Sequence, residues 1–267
     1  MLIDAHTHIR IGENPENAAG LVGSLRASGI DKAFVLADHQ LDDCTTEQVL
    51  REIKPFFGTL YAVATISSFH PQPSLFQFEE WLWTRQIYGL KFYPGYEHYY
   101  PDAGLFLPYL ELLQKYNRPA MFHSGDPIKS DGASRAKLKY AHPIHIDDVA
   151  TDMPELKIII CHMGYSWVID AAEVCYKNPN VWVDVSGFVY GKFTPKDYFN
   201  FQHFLGEFRR VMSDPSRLIF GTDWPVVDDH DSYLYTMRAL IPAEERELFF
   251  CHNAARVFGV EEEFGLK

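Results

Sequence analysis

Histidines close several of the apolar runs in this 267-residue chain, and their spacing is what suggests chemistry. The first run ends Asp4-Ala5-His6-Thr7-His8-Ile9-Arg10. In an extended strand residues two apart share a face, so His6, His8 and Arg10 are expected to point the same way. Two imidazoles so placed can grip one metal ion through ring nitrogens at about 2.0–2.1 Å. Two later runs end in His123 and His162, each followed by glycine two residues on, and another ends Phe220-Gly221-Thr222-Asp223. A single histidine at a strand end is ordinarily a core or solvent group. Four strand ends carrying His, His, His and Asp form a pattern. Imidazole and carboxylate suit Zn²⁺, Mn²⁺ or Fe²⁺, and an ion with an open position acidifies water to a pKa near 7 and polarises a carbonyl. A neighbouring group must then move the proton, and Asp223 and His162 are the candidates.

These side chains can meet only if their strands lie side by side. Eight β-rich stretches are predicted, at Leu2–Ile9, Lys32–Ala37, Leu60–Ser67, Tyr88–Tyr93, Pro119–Ser124, Leu156–Met163, Val181–Ser186 and Arg217–Thr222. Between them apolar residues recur at three and four, as in Trp167, Val168, Ala171, Ala172, Val174 and Cys175. Alternating strands and helices imply a parallel α/β sheet. Eight such units fit a (β/α)8 TIM barrel, for which roughly 250 residues are typical, better than an open doubly wound sheet. A single domain over residues 1–267 is expected, with His252–Gly259 as a C-terminal helix seated on the barrel and ended by Gly259. In such a barrel the active site lies at the C-terminal ends of the strands.

Composition narrows the partners. With 24 basic and 36 acidic residues the net charge is −12, and the longest basic run is Arg209-Arg210, which argues against nucleic acid. No apolar run reaches the roughly 18–20 residues that span a bilayer, and the N-terminus lacks a basic segment followed by an apolar one, so a cytoplasmic location is expected. Cys44, Cys161, Cys175 and Cys251 are widely spread and read as reduced core thiols. A small-molecule substrate is the expected partner, with a homodimer as a further possibility.

Two cations bear on that substrate. Lys91 lies inside the apolar run Gly-Leu-Lys-Phe-Tyr-Pro and admits three readings: an outward snorkelling lysine, a cation near substrate or metal, or a carboxylated lysine bridging two metals. Arg10 either holds a substrate carboxylate in bidentate fashion or is a solvated loop residue. The loop from Tyr93 to Asp102 carries five aromatic or imidazole rings and is either a wall for a planar acid, with Tyr93 in contact, or a loop packed on its own tyrosines. The remaining histidines, His39, His70, His98, His142, His145, His203, His230 and His252, read as structural or solvent-facing, with His70 and His98 following strands and able to approach substrate.

Asp-Ala-His-Thr-His, His123, His162 and Gly-Thr-Asp-Trp-Pro together resemble the amidohydrolase superfamily, and the chain is most similar to the branch that includes aminocarboxymuconate-semialdehyde decarboxylase. Gly89–Pro94, His145-Ile-Asp-Asp and Cys161-His-Met-Gly extend the likeness over nearly the whole chain. The resemblance implies a divalent metal, zinc first and manganese or iron as alternatives, held by His6, His8, His123 and Asp223. One ion is favoured over two, with His162 moving a proton or orienting water; in binuclear relatives it would bind a second ion. Dihydroorotases are similar around Lys91 and Arg10. The expected activity is hydrolysis of an amide, lactone or related carbonyl compound carrying a carboxylate. A non-oxidative decarboxylase is the alternative, and a non-catalytic ligand- or metal-binding barrel a third reading.

Overall fold

The computed structural model describes residues 1–38, 44–67, 72–127, 135–189 and 191–266; His39 and His70 lie outside them. Eight parallel strands form one sheet in chain order: β1 (Ile3–Thr7), β2 (Lys32–Leu36), β3 (Leu60–Thr65), β4 (Ile87–Phe92), β5 (Ala120–Phe122), β6 (Ile158–Ile160), β7 (Val181–Asp184) and β8 (Leu218–Ile219). The two edges are joined by backbone hydrogen bonds: Ala5 N–H donates to Phe220 O at 3.0 Å, Asp223 N–H to His6 O at 2.7 Å and His8 N–H to Trp224 O at 2.6 Å. The expected TIM barrel is thus the fold.

Helices α1 (Ala18–Ser28), α2 (Thr46–Ile53), α3 (Leu75–Trp83), α4 (Leu107–Lys115), α5 (Ile146–Asp152), α6 (Val168–Lys177), α7 (Pro195–Val211) and α8 (His230–Leu240) alternate with the strands, and α9 (Asn253–Phe258) follows. Their ends obey local chemistry. The Asn17 side chain accepts from Gly20 N–H at the start of α1, Thr45 and Gln48 form a capping box on α2, and Gly259, at φ 65°, ends α9 in the left-handed conformation. No helix among the described residues is long and apolar enough to cross a membrane.

Strand side chains sort into two apolar layers. Val35, Ala62, Leu90, Phe122, Ile160 and Val183 pack outward against the helices. Ile3, Phe34, Tyr61, Tyr88, Met121, Ile159, Trp182 and Ile219, one from every strand, fill the inside together with α9. The Phe258 ring stacks on Phe34 with centroids 3.6 Å apart.

Two register shifts decide what the upper interior contains. Asp4 pairs with Ala33 and Thr7 with Val35, so three residues of β1 match two of β2. Ile87 pairs with Ala62 and Leu90 with Ala64, the same excess in β4. An extra residue in one strand re-aims every side chain beyond it. Hence Ala5 and His6 both face inward, and Lys91 faces inward although Tyr88, three residues earlier, does too. Gly89 sits in the second shift, where a Cβ would lie 3.0 Å from Pro119 O.

Seven of the strands are shorter than predicted, most clearly β8 and β6, whereas β4 keeps six residues and starts one earlier. Cys161, Met163 and Phe220 continue the apolar runs past the β6 and β8 ladders, where the chain turns left-handed, with φ 63° at His162, 50° at Met163 and, one residue beyond the predicted end of β8, 70° at Asp223. A periodicity reading therefore carries the strand past its last ladder bond.

Candidate active site

The bulge in β1 and the turns that end β6 and β8 bring the chemical side chains into one cup at the C-terminal ends of the strands. His6 Nε2 lies 3.4 Å and His8 Nε2 3.2 Å from Asp223 Oδ1. The other nitrogen of each ring is committed: His6 Nδ1 is 2.8 Å from Asp184 Oδ2, and His8 Nδ1 is 3.0 Å from Leu36 O. A carbonyl can only accept, so His8 carries a proton on Nδ1, and Nε2 is the nitrogen turned to Asp223. His6, His8 and Asp223 each offer an atom within 4.8 Å of the others, all buried, an arrangement able to hold a metal ion. The His123 ring stands 5.0 Å from that of His162, whose ring is 4.9 Å from His6. His123 Nε2 is buried with no hydrogen-bond partner.

Lys91 is 1% exposed, which removes the outward snorkelling reading. Its Nζ lies 3.4 Å from His6 Nε2 and 5.3 Å from the centre of the Tyr93 ring. Tyr93 is buried and donates its hydroxyl to Ala37 O at 2.9 Å, and burial raises its pKa well above 10. The loop beyond is packed in part on its own tyrosines and in part reaches the cup. Tyr99 is buried and accepts from Tyr93 N–H at 2.9 Å, whereas the Tyr96 ring reaches to 4.8 Å from His123.

Arg10 stands apart from the other predicted groups. It is exposed, its Nε 2.5 Å from Glu16 Oε2 and its N–H bonded to Glu16 O at 2.9 Å. The alternation that would have carried it to the mouth stops where β1 ends, at Thr7.

Three site residues went unread in the sequence. Asp184 ends β7, which showed only an apolar run, and Ser186 follows two residues on; Asp184 is fully buried against His6. Asp4 braces the opposite wall: its carboxylate accepts from Thr222 N–H at 3.0 Å, Thr222 Oγ1 at 2.6 Å and His6 N–H at 3.1 Å. His230, read as structural, lies 3.4 Å from the same carboxylate. An ionisable residue inside Val-Trp-Val-Asp-Val is the signal that would have found Asp184.

A family model described as amidohydrolase matches residues 3–260. The chain belongs to the amidohydrolase family. Among curated proteins none matches its sequence. Solved structures share the fold of this amidohydrolase across 97% of its length: the probable 2-pyrone-4,6-dicarboxylic acid hydrolase of Acinetobacter baumannii with citric acid bound (15% identity, 99% of that chain, TM-score 0.68), an amidohydrolase of Burkholderia multivorans with bound zinc (14%, 99%, 0.68), and the 5-carboxyvanillate decarboxylase of Novosphingobium aromaticivorans complexed with manganese and 4-hydroxy-3-methoxy-5-nitrobenzoic acid (15%, 96%, 0.70). Both members of the expected branch chemistry, a hydrolase and a decarboxylase, are thus among its structural neighbours. Identities this low carry the fold and leave the reaction open.

Electrostatics in the amidohydrolase cup separate charged from neutral groups. Burial opposes ionisation of Asp184, but His6, His162 and Lys91 hold it well below the usual carboxylate range. Asp223 is held at about 2, burial again being outweighed by the His8 hydrogen bond and the charges of His6 and His162. Burial pushes His162 down to about 3 and His123 well below 6.5. His6 is also lowered, by burial and then by Lys91. Only His8 rises: burial would lower it, but Asp223 and Asp38 prevail. Two carboxylates are therefore ionised among imidazoles that are mostly neutral, the protonation state a cation requires of its ligands.

Proposed function

We propose that this amidohydrolase is a divalent-metal-dependent hydrolase acting on an amide, lactone or related carbonyl compound that carries a carboxylate. The observation supporting it most directly is His123 Nε2. An imidazole nitrogen buried without a partner costs about 1–3 kcal/mol. His123 lies outside the His6, His8 and Asp223 group, with its ring 5.0 Å from that of His162, and a cation held by those three would satisfy its Nε2 if the ring closes on it. Three nitrogens and one carboxylate suit zinc first, with manganese and iron as alternatives, and fit a single ion. When bound, the ion supplies carbonyl polarisation and acidifies water.

The chain's own residues supply the rest. His162, neutral through most of the pH range, offers a lone pair for the proton of attacking water, and Asp223 is the second acceptor. Lys91, buried and inward, is the cation placed to receive a substrate carboxylate, with Tyr93 as the adjoining wall.

The test is metal content of the purified protein together with a screen of lactones, amides and aromatic acids in ¹⁸O-labelled water. About one divalent ion per chain and incorporation of ¹⁸O into product are expected, both lost in His6→Ala. Carbon dioxide release without incorporation would assign the lyase instead. Metal-free protein whose activity is untouched by His6→Ala would end the proposal.

A further inference from the structure

The last residue of β7, Asp184, and Ser186 just beyond it are engaged by two histidines at once, and their hydrogens can be counted. Asp184 Oδ1 accepts from His162 N–H at 2.9 Å, Ser186 N–H at 3.1 Å and Ser186 Oγ at 2.5 Å. Asp184 Oδ2 faces His6 Nδ1 at 2.8 Å. Ser186 owns one hydroxyl hydrogen, and the ionised carboxylate takes it. Ser186 Oγ can therefore only accept from the two ring nitrogens beside it, His162 Nδ1 at 2.9 Å and His6 Nδ1 at 3.0 Å. Ser186 O, which can never donate, lies 3.2 Å from the same His162 nitrogen. Both rings must carry their proton on Nδ1.

We propose that Asp184, with Ser186, is a positioning residue that imposes one tautomer on His6 and His162, leaving Nε2 of each bare. For His6 that bare nitrogen is the one facing Asp223 and Lys91. For His162 it is the atom free to accept a proton. The backbone is shaped for this clamp. His162 holds a left-handed φ of 63°, unfavourable for a residue with a Cβ, with its N–H bonded to Asp184. Gly187 closes in so tightly that a Cβ there would lie 2.9 Å from His162 Nδ1 and 2.8 Å from Asp223 Oδ2. The consequence for metal affinity rests on the proposed metal site, whereas the tautomers do not.

Asp184→Asn makes a directional test. Two backbone N–H groups require an oxygen at the Oδ1 position, so the new amide nitrogen must face His6 Nδ1 and force that ring to move its proton to Nε2. Two-bond ¹H–¹⁵N spectra of ring-labelled histidines in metal-free protein read the tautomers. The native protein should show His6 and His162 protonated on Nδ1, and Asp184→Asn should reverse His6 alone. Ser186→Ala should leave His6 unchanged. Chelator competition with Zn²⁺ alone should show about 10–100-fold weaker binding in Asp184→Asn, as for other groups that orient a ligand. An Nε2 proton on either ring of the native protein overturns the proposal, as does an unreversed His6 in folded Asp184→Asn. Native protein that binds no Zn²⁺ overturns the metal reading and leaves the tautomer result standing.

Discussion

The lower and upper halves of the barrel interior are lined by the same eight strands yet are built on opposite principles. Below, Ile3, Phe34, Tyr61, Tyr88, Met121, Ile159 and Ile219 close over α9 in an apolar plug. Above, His6, His8, Lys91, Asp184 and Asp223 are all buried, and each is tolerable only because another compensates it. In β1 and β4 the change from one regime to the other coincides with a single extra residue. Stability should therefore live in the lower half and reactivity in the upper, and substitutions can separate them.

Asp223→Asn carries the largest expected effect. Asp223 Oδ1 is the point on which His6 and His8 converge, and its carboxylate is a candidate for moving the proton. Turnover of whichever substrate the screen yields should fall by about 10²–10⁴-fold, the range for losing a general acid or base, with metal retention falling too. The thermal midpoint of metal-free protein should fall only modestly, since the ionised Asp223 is stabilised by His8, His6 and His162 while its burial opposes the charge. A variant that unfolds instead would place upper-half charge among the contributors to stability and break the contrast.

Phe258→Ala is the converse. It removes a ring stacked on Phe34 at the base of the plug and should cost about 3–5 kcal/mol in denaturant unfolding. Zn²⁺ affinity of the folded fraction should be unchanged, because Phe258 packs within the apolar plug.

The same division governs what could be read in the sequence. The lower half and outer layer rest on additive burial, so their periodic apolar runs announced eight strands and a barrel. His123, His162 and Asp223 were legible because a polar side chain ending an apolar run has few bland explanations. The facing of Lys91 was not, since a strict two-residue period cannot register a bulge, and Gly89 was its only local mark. Asp184 was hidden for another reason. Its meaning lies in His6, 178 positions away, and no local pattern encodes a partner at that distance.

Acid should weaken the upper half first. Metal-free His162, held near 3 by burial, stays neutral while the unfolded chain binds a proton near 6.5. The unfolded state then binds more protons, so stability falls as pH drops from about 6.5 toward 3. His6 and His123, also lowered, add to that trend, while His8, raised by Asp223 and Asp38, opposes it. The carboxylates contribute lower down, Asp223 losing its stabilising ionisation between about 4 and 2. His162→Gln should flatten the upper part of the curve of thermal midpoint against pH. An equal slope in native and variant protein would remove His162 as its source.

Arg10 offers the smallest effect and the finest test of where the upper half ends. Its backbone and side chain both close on Glu16, within the loop that follows β1. An exposed pair of this kind contributes about 0–1 kcal/mol, so Arg10→Ala should barely move the unfolding midpoint. If Lys91 is the cation that meets the substrate carboxylate, Arg10→Ala should also leave KM within about twofold, while Lys91→Met raises it at least tenfold, the equivalent of about 1.4 kcal/mol. A charge-assisted hydrogen bond contributes about 1.5–3 kcal/mol, so a substrate contact by Arg10 would show as a rise in KM of tenfold or more. That result would mean Arg10 exchanges Glu16 for the substrate, and the reactive region would then extend beyond the strand ends into the first loop.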